Sequence, residues 1–410
     1  MPRRPGRLLG KGLVECGCLL LVLVGILQAQ PKAPEAILIG GTIAQSGPMS
    51  AEVGPFKKLM DVWAEIVNEK GRLHVKAYGR KIPIRFVVYD DASKQENAVK
   101  YYERLVTVDR VHLLIGPYSS PLTFAASTVA EKHGLPMVAA QANSTAIFTR
   151  GFKWLVGVID DGPKWSHHYL DLLKAEGKAK SIGFLIQDTL HAKEVGSGAV
   201  PIAREVGLEA VFEETVQANA SDFTPIITKL KTVNPDIVYV SAFPPFAIGF
   251  YKQALELGLN PREYHIIHHG AAFRHAVGEG NANHVTGENY WMPGIKYGTP
   301  EVFAELLKRT GIRIEDYPWA SIHMFAFEAI QAALEQTTAL EQTTALEPEA
   351  LLATLKGLDI MTIGGRLRFN PKTGQGTLNP FPTQIQNGTY VTLWPQEITT
   401  GAHIYPRPTK

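Results

Sequence analysis

Thiols are nearly missing from this chain of 410 residues: its two cysteines, Cys16 and Cys18, both fall within the first 18 positions. Everything after them is barred from disulfides, thiolate catalysis and cysteine-held metal. An excess of one charge is missing too. The 41 Lys+Arg against 39 Asp+Glu leave no basic surface of the kind nucleic acid requires. No Gly-x-Ser-x-Gly elbow, phosphate-loop lysine or His-Glu-x-x-His pair occurs, which removes three common enzyme signatures. Gly196-Ser197-Gly198 supplies two glycines of a dinucleotide turn, but Pro201 stands where the third belongs, and the segment reads as a helix start. His265, His268 and His269 lie on one presumptive strand, where neighbours face opposite sides and cannot share an ion. Neither a metal nor a cofactor is expected. The Asp90-Asp91 pair follows a strand and reads as a cap for the next helix rather than as an acid/base couple.

What is present begins with an export signal. Arg3, Arg4, Arg7 and Lys11 form a basic region, Cys16–Leu27 an apolar run of about a dozen residues, and Ala29 a small residue at the cleavage position. A bilayer span needs ~20 such residues, so residues 1–29 read as a signal peptide rather than an anchor. Glu15 and Gly17 precede the cysteines where a lipobox would be apolar. Without this segment, four basic residues and one acidic one are gone, and 37 Lys+Arg face 38 Asp+Glu. The basic balance therefore belongs to the signal.

Beyond it, short apolar runs alternate with longer amphipathic ones. Strands are expected at 36–43, 82–89, 111–115 and 135–140, with helices at 56–69, 96–108 and 121–133 between them. That order implies right-handed crossovers and a parallel sheet. The pattern restarts after Gly162, with helices at 164–176, 196–205, 223–232 and 247–257 among strands at 181–186, 209–213, 237–241 and 264–268. A third region has helices at 300–310, 318–337 and 349–356, then a β-rich tail over 366–393, in which Pro- and Gly-rich joints at 370–376 and 379–382 look like a crossing between domains. Within it Glu335–Leu340 is duplicated as Glu341–Leu346; six residues is not a whole number of turns, and a longer, exposed helix end is expected there. A chain of this length exceeds one ordinary core, so two domains are expected.

Several segments taken in order resemble the type I periplasmic solute-binding proteins of ABC importers, in the branched-chain amino acid and amide class. They are Gly41–Pro48, Val88–Asp91, Ile115–Ser120, Gly134–Val138, Asp222-Phe223, Asn234–Val238 and Leu255–Leu259, spread over about 37–393. The resemblance implies an α/β fold of two doubly wound parallel-sheet lobes joined by a three-crossover hinge. Residues 31–157 with 294–369 would form one lobe, 158–293 with 376–410 the other, and 370–375 the third crossing. It further implies a monomeric, non-enzymatic protein of the periplasm that captures a small molecule by hinge closure and hands it to permease subunits in the inner membrane. A ligand sensor signalling to a membrane receptor, or a periplasmic enzyme, is the alternative.

In parallel sheets ligands sit beyond the carboxyl ends of strands, which selects two loops here, Tyr118-Ser119-Ser120 and Gln141-Ala142-Asn143-Ser144. By resemblance, Ser120 and its neighbour Ser119 grip a ligand carboxylate, Asn143 joins them, and Gln141 and Ala142 lend backbone. His191 and Phe243 match aromatic positions of the opposite jaw, Trp291 lies near the second crossing, and Trp319 is equally placed between packing and contact. His269 falls where amino-acid binders of the family carry an acidic residue for the ammonium. A neutral imidazole cannot supply that charge, which points away from an α-amino acid toward an acid or amide without the amine. Asp188, on a neighbouring loop, is the residue that would restore it.

Overall fold

The computed structural model describes residues 33–71, 73–338 and 346–408. The signal segment and most of the second hexapeptide copy lie outside them. Helix Ala320–Gln336 closes at Thr337, whose hydroxyl bonds the Ala333 carbonyl, so the described part of the duplication adds no turn.

Two parallel-sheet lobes make up the molecule. The first sheet runs, edge to edge, Ile84–Asp90, Ile37–Ile43, Leu113–Ile115, Met137–Ala139, Leu155–Ile159 and Gln375–Leu378, all parallel. Strand Ile37–Ile43, one in from the edge, has helices on both faces and is buried almost throughout, as a continuous apolar run should be. Gly40 and Gly41 let those helices and the next strand close in. A Cβ at Gly41 would meet Ile115 at 2.7 Å. Helix Phe56–Glu69 turns Leu59, Met60, Trp63 and Ile66 inward, and Trp63 stacks on Phe327 of helix Ala320–Gln336 at 4.6 Å.

The second sheet keeps five parallel strands, in the order Glu209–Val216, Ser181–Gln187, Ile237–Ser241, Glu263–Ile266 and Thr286–Asn289. The antiparallel strands Phe381–Gln386 and Thr389–Thr392 extend it. The chain crosses between lobes after Ile159, between Asn289 and Pro300, and at residues 379–380. Two expected boundaries shift. Leu155–Ile159 stays whole in the first sheet, so the first lobe runs through 159 rather than 157. The Pro- and Gly-rich stretch at 370–375 is not a crossing but a turn: Asn370 Oδ1 accepts the N–H groups of Lys372 and Thr373, and Gly374 has φ +76°. Strand Gln375–Leu378 then pairs with Leu155–Ile159 before the chain leaves.

Helix Leu190–Glu205 begins six residues before the expected start, with the Thr189 hydroxyl accepting from the Ala192 N–H. Gly196 and Gly198 lie inside it because it packs closely: Cβ atoms there would sit 2.6 Å from Ile186 and 2.3 Å from Pro163. Asp90 and Asp91 cap no helix. Asp90 accepts the Gln45 and Ser46 N–H groups and the Ser46 hydroxyl, and Asp91 accepts Thr42 Oγ1 at 2.7 Å, so the pair pins the first loop.

The tail is locked by His403, whose ring lies 2.9 Å from Glu176 and 2.6 Å from Glu263. Burial disfavours its charge, but Glu263 and then Glu176 outweigh that and hold its pKa up at about 9. A pKa raised by folding stabilises fully below the unfolded value near 6.5 and is lost as pH rises through about 9. His403→Gln is therefore expected to cost about 3 kcal/mol at pH 6 and little at pH 10. Urea denaturation at the two pH values measures it, and an equal loss at both would refute the charged pairing.

Candidate functional site

The carboxyl ends of both sheets meet across one narrow cavity of about 320 Å³. Tyr118, Ser119, Ser120, Gln141, Asn143, Ile159, Trp319 and Ile322 line it from the first lobe. Trp165, His191, Phe243 and His268 line it from beyond the first crossing. A wider opening of about 1010 Å³ shares Ser119 and Phe243 with it and continues between the lobes along Met49, Gln95, Gln187 and Asn219. A recess on the second lobe around Asn260 and Arg407 is also larger than the inner cavity, at about 950 Å³, but no buried side-chain polar atom of its lining lacks a partner.

The first-lobe wall is built by two loops that hold each other. Ser119 has φ +85°, a costly setting for a residue with a side chain, and its N–H bonds the Gln141 carbonyl at 3.2 Å. Ser120 opens helix Ser120–His133, with Pro121 in the first turn where its missing N–H costs nothing. Its Oγ accepts the N–H groups of Asn143 and Ser144, both at 3.2 Å, which leaves its own proton to donate. Gln141 gives its amide to the Trp319 carbonyl at 2.9 Å, and the Trp319 indole donates to Glu52 at 2.6 Å. Glu52 thus stands behind the wall. Burial pushes its carboxyl up to about 7 against the opposing indole bond, so it is only about half ionised at neutral pH.

The facing wall is aromatic. His268 lies 5.3 Å from Phe243, 4.9 Å from Trp319 and 5.2 Å from His191, and Trp165 meets His191 edge-on at 5.0 Å. His191 Nδ1 bonds Asn143 Oδ1 across the cleft at 2.7 Å. Burial pulls the His191 pKa down to about 3; burial, aided by His191 and His269, pulls His268 well below its ordinary value. Both rings are neutral here. Seven buried polar atoms of the lining lack partners: Tyr118 Oη, Ser119 Oγ, Gln141 Oε1, Asn143 Nδ2, Trp165 Nε1, His191 Nε2 and His268 Nδ1. Such groups cost free energy unless something satisfies them, and seven around one cavity describe a site made to receive a polar solute between aromatic faces.

Six expected residues line the cavity: Ser119, Ser120, Gln141, Asn143, His191 and Phe243. Three do not. Ala142 is buried in the core of the first lobe. Trp291 packs edge-on against Phe303 at 5.1 Å near the second crossing. His269 turns the other way, with Nε2 on Thr383 Oγ1 at 2.9 Å, Tyr390 at 5.0 Å, and its ring where a Cβ on Gly287 would stand. The strand expected over 264–268 ends at Ile266, and in the loop that follows the two rings face opposite ways, so His268 takes the wall position that His269 was expected to hold. Asp188 pairs with Lys193 at 3.1 Å, half in solvent, and is not part of the lining. Tyr118 was named only as part of its loop, His268 only in the histidine group set aside as a metal site, and Trp165 not at all. Tyr118 adjoins Ser119 and was within reach of the sequence; Trp165 carries no local signal, since its loop is brought here by the first crossing.

Comparison with known proteins places this geometry. A family model described as periplasmic binding protein matches residues 36–389. A Leu/Ile/Val-binding protein homolog of Brucella melitensis biotype 1 is 23% identical over 256 residues, 60% of this chain. The chain spans 62% of that relative, less than two thirds of its length. Among solved structures, the branched-chain amino acid transporter substrate binding protein of Streptococcus pneumoniae, in complex with isoleucine, superposes with TM-score 0.73 at 19% identity, covering 87% of this chain and 97% of that one. A solute binding protein of an R. palustris ABC transporter, in complex with 4-hydroxybenzoate, gives 0.72 at 18%, covering 90% and 98%. With the family model spanning most of the sequence and both lobes matched in fold, the chain belongs to the periplasmic binding protein family and has its type I architecture.

Proposed function

We infer that this protein is the solute-binding component of an ABC importer, working outside the cytoplasmic membrane. It closes its lobes over a small organic acid or amide and releases it unchanged to permease subunits. The observation that carries this reading is the group of seven unpartnered polar atoms enclosed between the lobes. The atoms themselves come from both sides of the cleft, so a solute that satisfies them stabilises the closed arrangement over the open one. The relatives support the same role, one complexed with isoleucine and another with 4-hydroxybenzoate. Export by residues 1–29 fits it, and no described helix is long and apolar enough to cross a membrane.

The test is a thermal-shift panel on the purified chain with branched-chain amino acids, amides, and aromatic and aliphatic carboxylates. A true ligand at one hundred times its Kd adds about 2.7 kcal/mol to stability. One chemical class should therefore raise Tm clearly, and mass spectrometry should recover it intact. No shift anywhere in the panel, or conversion of the bound compound, would sink the reading.

A further inference from the structure

The contact between Asn143 and His191 has a chemical character of its own. One residue comes from each lobe, the two are 1% and 5% exposed, and they meet at 2.7 Å. Their bond leaves Asn143 Nδ2 and His191 Nε2 unpartnered. With Nδ1 donating, Nδ2 is a free donor and Nε2 a free acceptor. Turning the amide over and moving the ring proton exchanges these roles but keeps the set: one donor, one acceptor, no net charge. His268 stacks on His191 at 26° and is itself closed in by Phe243 and Trp319, with no counter-charge for a cationic ring. None of the twelve lining residues is Asp, Glu, Lys or Arg, and Glu52 is taken by the Trp319 indole behind the wall.

Resting on the reading of this cleft as a solute site, we propose that the Asn143–His191 pair sets its specificity. Among small carboxylic acids it selects those whose second polar group is an uncharged hydroxyl, and it rejects the ammonium-bearing counterpart. A hydroxyl gives one hydrogen and accepts another, so it satisfies both free atoms. An ammonium has three donors and no acceptor; it leaves Asn143 Nδ2 unsatisfied and sheds its hydration with no carboxylate to replace it. An acid lacking the group leaves both atoms bare. Ser120 Oγ accepts the backbone N–H of Asn143 at 3.2 Å, so the serine and the pair stand on adjoining loops of one wall, which suits a carboxylate and a second group on neighbouring carbons, as in a 2-hydroxy acid.

Two matched series test this by titration calorimetry at pH 7.5. One is 4-methylpentanoate, 2-hydroxy-4-methylpentanoate and L-leucine; the other is 3-phenylpropionate, 3-phenyllactate and L-phenylalanine. In the series that fits the cavity, the hydroxy acid should bind tightest, at least tenfold above the amino acid. His191→Asp supplies a carboxylate and should move the amino-acid to hydroxy-acid ratio at least tenfold toward the amino acid. His191→Gln keeps one donor and one acceptor and should preserve the order. Ratios within one variant are insensitive to a general loss of folding. An amino acid binding wild type as tightly as its hydroxy analogue, or an unmoved ratio in His191→Asp, overturns the proposal. So does binding by neither series while other solutes in the thermal-shift panel bind, an outcome that spares the importer reading; a panel with no binder at all overturns both.

Discussion

Glu194→Ala is expected to weaken solute binding by ten- to a hundredfold while leaving the fold of each lobe intact. Glu194 rises from helix Leu190–Glu205 of the second lobe, but its bonds are all with the first. Its carboxylate accepts the Ser144 hydroxyl at 2.5 Å and the N–H groups of Thr145 and Ala146 at 2.5 and 3.3 Å, at the start of helix Thr145–Thr149. No side chain of that helix's own lobe caps it at Ser144. A hydrogen bond to a charged group contributes roughly 1.5–3 kcal/mol net, and these belong to the closed arrangement alone. Because each 1.4 kcal/mol is tenfold in Kd, losing this clasp accounts for one to two orders of magnitude. Faster dissociation in stopped-flow measurements should carry most of it, since closure follows capture. If Kd and dissociation rate are both unchanged, the clasp persists in the open form and contributes nothing to closure.

The second large effect is a loss of affinity in acid. Burial holds His191 at about 3 and His268 well below its ordinary value in the closed cleft, and opening it to water would return the rings toward the ordinary imidazole pKa near 6.5. The closed form binds fewer protons than the open one. Closure is therefore unhindered above pH 6.5 and progressively lost as pH falls below it. Between pH 7.5 and 5 one ring accounts for about a thirtyfold loss, and the second, repelled by a first cationic ring 5.2 Å away, adds a smaller further loss. Glu52 works in the opposite sense. Its pKa is raised to about 7 by burial, so closing over it takes up a proton and acid favours that step. Glu52→Gln removes this opposing effect and should steepen the decline. Calorimetric titrations across that range decide the matter. Affinity that rises in acid would mean that a cationic ring pairs with the bound carboxylate, contrary to the neutral wall described above.

Much of the scaffold was legible because its signals are local. The buried strand Ile37–Ile43, the amphipathic helix Phe56–Glu69 and the restart after Gly162 follow from apolar periodicity, which side chains on regular elements must obey when one face meets a core. Thr286–Asn289 was not legible. It is a polar tetrapeptide whose four residues are buried, yet Thr286 bonds Glu263 at 2.9 Å and Glu288 lies 3.0 Å from His265, so distant partners make it a strand. The Asn370–Gly374 turn misled for the converse reason: its composition is that of a joint, and only the pairing of Gln375–Leu378 with Leu155–Ile159 keeps it inside one lobe.

The same division holds at the site. Sequence by itself determined that the protein has two α/β units, that no thiol chemistry operates beyond residue 18, and that the loops at 118–120 and 141–144 stand at strand ends where ligands bind. These follow from composition and from spacing along one chain. Tertiary structure decided which side chains face the cleft. It chose His268 over His269, whose rings face opposite ways in the loop just past strand Glu263–Ile266, and neither periodicity nor residue type says which of the two faces inward. It also brought Trp165, His191 and Glu194 against loops about fifty residues or less away in sequence but in the other lobe, and set Glu52 behind Trp319 across 267 residues. Such contacts depend on how two sheets close on each other, an arrangement fixed by long-range packing that leaves no local trace in the sequence.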